Sequence, residues 1–127
     1  MPARKAFQYT ILRVVPDVER GERLNVGVIV YSPELKYIGA RTHVDADRLR
    51  AVAPEVDAAE LERHLQALVK VAHGDGDGGP IAALPASERF GALSAPSSTM
   101  VQPSEVHTGV CEDGERVLSE LFDRLIR

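Results

Sequence analysis

Residues 7–32 read FQYTILRVVPDVERGERLNVGVIVYS. Two runs rich in β-branched residues, 7–15 and 24–31, stand on either side of a loop at 16–23. Branched side chains fit a pleated surface, so both runs read as strands. Pro16 cannot donate to a sheet ladder and closes the first. The loop carries Asp17, Glu19, Arg20, Glu22 and Arg23 around Gly21. Polar loops held between rigid strands are where sites tend to sit. Fold signal and site signal therefore coincide here.

The next residues extend the reading to a three-stranded meander. Ser32-Pro33-Glu34-Leu35 has turn chemistry, and 36–43 reads as a third strand. Side chains alternate faces along a strand. Leu24, Val26, Val28 and Val30 then form one apolar set, and Ile38, Ala40, Thr42 and Val44 the other. These sets meet only if paired residue numbers sum to an even value. That predicts an odd loop, Pro33-Glu34-Leu35, because a one-residue slip puts Arg41 and His43 in the core. Leu12 and Val14 follow the apolar parity and Arg13 the polar one. Arg13, Asn25, Arg41 and His43 are thus expected on one face, with Gly27 and Gly39 leaving a shallow depression there. A half-solvated antiparallel sheet with polar side chains outward gives the same pattern.

Helical signals fill the rest. Asp45 caps a short helix running to Val52, ahead of Pro54. Asp57, followed by Glu60, opens a longer helix over about 57–73. Its apolar stripe is Leu61, Leu65, Leu68, Val69 and Ala72, and Gly74 supplies a left-handed end. Segment 74–80, GDGDGGP, reads as a flexible internal loop. Its alternate Asp75 and Asp77 do not make a calcium loop, because Gly79, Pro80 and Ala86 occupy later ligand positions. Residues 87–93 form a helical turn, and Thr99-Met100-Val101 reads as strand interrupted by Pro103. Val106-His107-Thr108 continues that strand after a bend. Asp113 caps a final amphipathic helix over about 113–126. The fold class is α+β, one domain over 1–127, with an antiparallel sheet packed by two main helices.

Composition narrows the function. The chain has 127 residues, 44% hydrophobic and 27% charged, which suffices for an ordinary core. Its net charge of −4 argues against broad nucleic-acid binding. Apolar runs fall far short of the ~20 residues that span a bilayer. No apolar signal core follows the N-terminal MPARKAFQY. A lone Cys111 cannot form an internal disulfide, which fits a reducing cytoplasm.

Motifs with defined chemistry are sparse. The sequence has no phosphate-binding glycine signature, no paired cysteines, no nucleophile elbow and no HExxH. His107 and Cys111 lack a third partner for thiol chemistry. His43, His107, Asp17 and Glu22 have no spacing that fixes a metal, and no cofactor is implied. The tangible cluster sets Arg13, Arg20, Arg23 and Arg41 against Asp17, Glu19 and Glu22. An arginine not consumed by ion pairs there can hold a phosphate or carboxylate bidentately.

Residues 9–17, YTILRVVPD, then Glu19-Arg20-Gly21-Glu22 and Leu24-Asn25-Val26-Gly27-Val28, resemble the opening of a bacterial family, Domain of Unknown Function 3037. Arg89-Phe90-Gly91, Ala95-Pro96, Ser98, Gln102-Pro103-Ser104 and Val106-His107-Thr108-Gly109 resemble its second block. Ala92 stands where that pattern has a bulky residue. The resemblance implies a protein partner, with kinase-like proteins encoded nearby as candidates, and no activity. It marks Arg13, Asp17, Arg20, Glu22, Asn25 and Gly27 in the first block, and Gln102, His107 and Thr108 in the second. The two blocks are expected to converge at one sheet edge. Two functional classes follow: a binding or partner module, preferred, or a small hydrolase or transferase acting on a phosphorylated or nucleotide substrate. In the second class Arg13 and Arg20 stabilise charge, with His107 or Glu22 as general base. Homo-oligomers remain open; a membrane role is not expected.

Overall fold

The computed structural model describes residues 4–16, 19–96 and 100–127. Strands β1 (Lys5–Val14), β2 (Leu24–Ser32) and β3 (Tyr37–Thr42) form an antiparallel meander. β4 (Val101–Pro103) and β5 (His107–Cys111) return antiparallel along the other side of β1. β4 takes the Leu12–Val14 end and β5 the Lys5–Tyr9 end, so together they make one broken edge. The break is stitched by Ser104. Its Oγ accepts from the Ile11 N–H at 2.9 Å, its carbonyl accepts from Thr10 Oγ1 at 2.8 Å, and its N–H donates to the Ile11 carbonyl at 2.7 Å. Pro103 ends the ladder and Ser104 supplies the missing partners, leaving the Ile11 N–H satisfied although the strand kinks. Ser104→Ala should strand that buried N–H and cost about 1–3 kcal/mol. Urea unfolding would show this as a lowered midpoint at unchanged slope.

The hairpin register departs from the parity expectation. Val28 pairs with Arg41, Ile29 with Ala40 and Val30 with Gly39, so paired numbers sum to an odd value. The turn uses Pro33 through Lys36, closed by the Lys36 N–H on the Pro33 carbonyl at 3.2 Å, with Lys36 at φ 53°. The reason is coverage on both faces. Val28 and Val30 bury against one helix layer while Ile29 and Ala40 bury against the other. Alternation cannot separate inside from outside in such a strand. A bulge between Leu12 and Arg13 shifts the phase again, so Gly27 faces Leu12 and Thr42 while Asn25 faces Arg13. The odd-sum hairpin register by itself puts Gly27 and Gly39 on opposite faces, and neither leaves a depression. A Cβ on Gly27 would stand 2.9 Å from Thr42 Cγ2, and one on Gly39 would strike the Tyr37 ring.

One face of the sheet carries α1 (Ala46–Val52), α2 (Ala58–His73), a 3-10 turn (Pro80–Ala83) and α3 (Ala86–Ser94). Leu12, Val14, Val26 and Ile29 bury there against Leu49, Leu61, Leu65 and Phe90. The other face carries α4 (Gly114–Leu125), whose Leu118 and Leu121 pack with Phe7, Ile11, Val28 and Val30. The helix starts follow local chemistry. Asp45, Asp57 and Asp113 each accept from the N–H groups two and three residues on. Gly74 ends α2 at φ 68°, and the Asp75 N–H then reaches the Lys70 carbonyl. Lys70 Nζ meets Asp77 Oδ2 at 2.8 Å across the glycine-rich loop.

Tyr37 ties α4 to β3. Its ring lies over Gly39 and against Gly114, and its hydroxyl donates to Glu115 Oε2 at 2.8 Å. Burial, and then that hydrogen bond, hold the phenol well above its ordinary range. The folded chain thus binds this proton more tightly than the unfolded chain. Its contribution is complete below pH 10.0, the ordinary phenol value, and is lost as pH rises past it. Stability measured between neutral and strongly alkaline pH should fall more steeply in the wild type than in Tyr37→Phe.

Candidate functional site

The ladder places Gln102, Arg13 and Asn25 in one row across β4, β1 and β2. Asn25 Nδ2 donates to the Leu125 carbonyl at 3.2 Å, which puts this row on the α4 side. Arg41 is on the same side, with Nη1 donating to Ser119 Oγ at 3.1 Å and its guanidinium 5.5 Å from the Phe122 ring centre. His43 lies just past β3; its N–H donates to the Val26 carbonyl, and its side chain is exposed. Arg13 is half-buried, and its Nε is shielded from solvent without a hydrogen-bond partner. Burial and the neighbouring Arg23 guanidinium pull Arg13 below the usual arginine range, with Glu105 opposing them.

The second sequence block divides. Gln102 joins the Arg13 row, whereas His107 pairs with Tyr9 and Thr108 with Gln8. Tyr9 and Arg13 are separated by ~13 Å of strand. The His107 ring tilts on Tyr9 with centres 5.1 Å apart. Glu22 ion-pairs with Arg20 and lines, with Pro16, Val52, Pro54 and Glu55, a surface cavity of about 270 Å³ beside α1. Glu22 precedes β2 beyond the Val14–Leu24 pair, so it and His107 stand toward opposite ends of β1. They do not combine in one acid–base site. Asp17 lies outside the described residues. Cys111 and His107 sit about 13 Å apart along β5 by strand rise, beyond any thiol–imidazole contact. Burial raises the Cys111 thiol, disfavouring thiolate. Among the described residues, no three His, Cys, Asp or Glu side chains gather to hold a metal.

With both blocks placed, the comparison with known families becomes decisive. The model of a protein family of unknown function, DUF3037, matches residues 9–126. The chain belongs to that family. No match was found among curated proteins or among solved structures. Among the described residues, the DUF3037 match spans the five strands except the start of β1, together with the helices.

One feature of this DUF3037 chain escapes motif reading: its two sheet edges are treated differently. At β3, the outward Ala40 N–H donates to His73 Nε2 at 3.4 Å, and α2 packs alongside. At β5, no described strand pairs along the outer side. Ile11 faces Ser104 on this side of β1, while the Ala6 carbonyl accepts from Ser32 on the other. Alternation then turns His107, Gly109 and Cys111 toward β1 and leaves the backbone of Thr108 and Val110 pointing outward. Their side chains share the face opposite α4 with the exposed Ala6 and Gln8. Val110 is 60% exposed, more than any other large hydrophobic residue described. Among the described residues, no helix is long and apolar enough to cross a membrane. The sequence signal for this edge was Val106-His107-Thr108-Gly109-Val110, a strand without the Pro or Lys that protects edges.

Proposed function

We propose that this chain is a binding module that takes an extended segment of a partner protein as an extra strand beside β5. The open edge carries the reading: outward backbone groups at Thr108 and Val110, an exposed Val110, and a closed counterpart at β3. Main-chain hydrogen bonds would supply affinity, and side chains of alternate partner residues would meet the Ala6–Gln8–Thr108–Val110 face. Charge favours a different protein over a second copy. Exposed Glu105 and Glu112 bracket β5. Centred self-pairing would set Glu105 of each copy against Asp113 of the other, and opposed like charges destabilise such a pair. Basic residues flanking the incoming strand fit this edge. A bacterial, cytoplasmic kinase-like protein, the partner type implied by the resemblance, is the first candidate.

The test uses proline. Thr108→Pro and Val110→Pro each remove an outward N–H and leave the inward ladder intact, the one strand setting that tolerates proline. Titration of the kinase-like candidate by calorimetry should show both variants weakened at least about a hundredfold. Glu62→Ala on exposed α2 should bind as the wild type does. Unchanged affinity in both proline variants, with the fold retained by circular dichroism, rejects strand addition.

A further inference from the structure

The first loop and the three-stranded meander carry four arginines, and the structure uses them unequally. Arg20 is ion-paired with Glu22. Arg41 is held by Ser119 and the Phe122 ring. Arg13 makes no ion pair among the described residues, and its Nε is buried without an acceptor. A buried donor left unmade costs free energy comparable to a lost hydrogen bond, so natural proteins rarely keep one without a use. Arg23 directly precedes β2, where Val14 pairs with Leu24 and Arg13 with Asn25. Alternation sets Arg23 on the Arg13 face, one step diagonally away. Gln102, across the row from Arg13, adds an amide to the same side.

We propose that Arg13 and Arg23, with Gln102, form a binding site for a phosphate-type oxyanion. The two guanidiniums repel until an anion engages both, Arg13 through its terminal nitrogens, and the bound charge strengthens the hold on its shielded Nε–H. One bidentate guanidinium already fills both oxygens of a carboxylate. Phosphate brings more oxygens and up to about two negative charges, so it engages two guanidiniums more fully than a singly charged carboxylate does. Glu105 is an opposing charge felt by Arg13; it is exposed and makes no ion pair with Arg13, so it tunes the site without filling it. The site is independent of strand addition at β5.

The side-chain Nε–H of each arginine gives its own proton–nitrogen NMR signal, so the wild-type protein reports directly. Inorganic phosphate is titrated against chloride at constant ionic strength, with acetate as a parallel arm. The Arg13 Nε–H signal should move saturably and exchange more slowly with water, while that of Arg41 stays in place. Arg23→Gln should weaken the response about tenfold or more, and Arg63→Gln, exposed on α2 across the sheet, should leave it unchanged. An Arg13 signal that moves no more than that of Arg41 overturns the site. Saturation by acetate equal to that by phosphate overturns the phosphate assignment, and an unaltered response in Arg23→Gln overturns the paired guanidiniums.

Discussion

Leu118→Ala should lower stability by about 3 kcal/mol, within the ~2–5 kcal/mol range of buried leucine truncations. Leu118 is 2% exposed and packs with Phe7, Ile11, Val28 and Val30. Its Cδ2 reaches to 3.1 Å from where a Gly39 Cβ would stand, which shows how closely α4 approaches β3. Truncation therefore opens a void that a stiff sheet cannot collapse to fill. Val110→Ala offers the contrast: its side chain is largely exposed, and the change should stay within ~0.5 kcal/mol. Urea midpoints of the two variants measure both. Near-equal losses would mean that α4 does not cover this face as described.

Gly39→Val should be at least as damaging, about 3 kcal/mol or more, because it adds bulk where none fits. A side chain at this position would overlap the Tyr37 ring, with Cζ only 2.8 Å from the new Cβ. The ring has little freedom to yield. Its hydroxyl is held by Glu115, and its Cγ–Cδ2 end lies against Gly114. The double variant Gly39→Val with Tyr37→Ala should recover part of the loss, since the two changes share one volume. Additive losses in that double-mutant cycle would show that the ring and the glycine are not in contact.

Both variants probe the face where sequence reading and structure parted. The helix ends were legible because their signals are local. Asp45, Asp57 and Asp113 cap through their own carboxylates, and Gly74 takes the left-handed turn that favours glycine. The strands were legible from their branched residues. The register was not. Parity assumes one wet face, yet Ile29 at an odd position and Val28 at an even one are equally buried. The odd-sum hairpin register puts Gly27 on the face opposite Gly39, and the bulge separates Asn25 from Gly27 as well, which together removed the expected depression.

The candidate site was legible as residue types and in part as an arrangement, since Arg13, Asn25 and Arg41 share the α4 side as expected, but not in its row. Arg13, Asn25 and Gln102 share a row, an outcome of strand pairing across nearly ninety positions that spacing cannot reveal. His107 belongs to the same edge but stands by Tyr9, because the kink at Ser104 advances the chain along β1. The role of Ser104 itself was hidden. A serine after a proline reads as a turn residue until the Ile11 ladder shows what it replaces. The open edge was equally hidden, since an edge is a property of neighbours and not of a strand.

Amide hydrogen exchange along β5 tests the open-edge assignment most directly. In the free protein, the Thr108 and Val110 amides should exchange fast while those of His107, Gly109 and Cys111 are protected by β1. Addition of the kinase-like partner should then protect Thr108 and Val110. Slow exchange at both amides in the free protein, or fast exchange persisting in the complex, would contradict it.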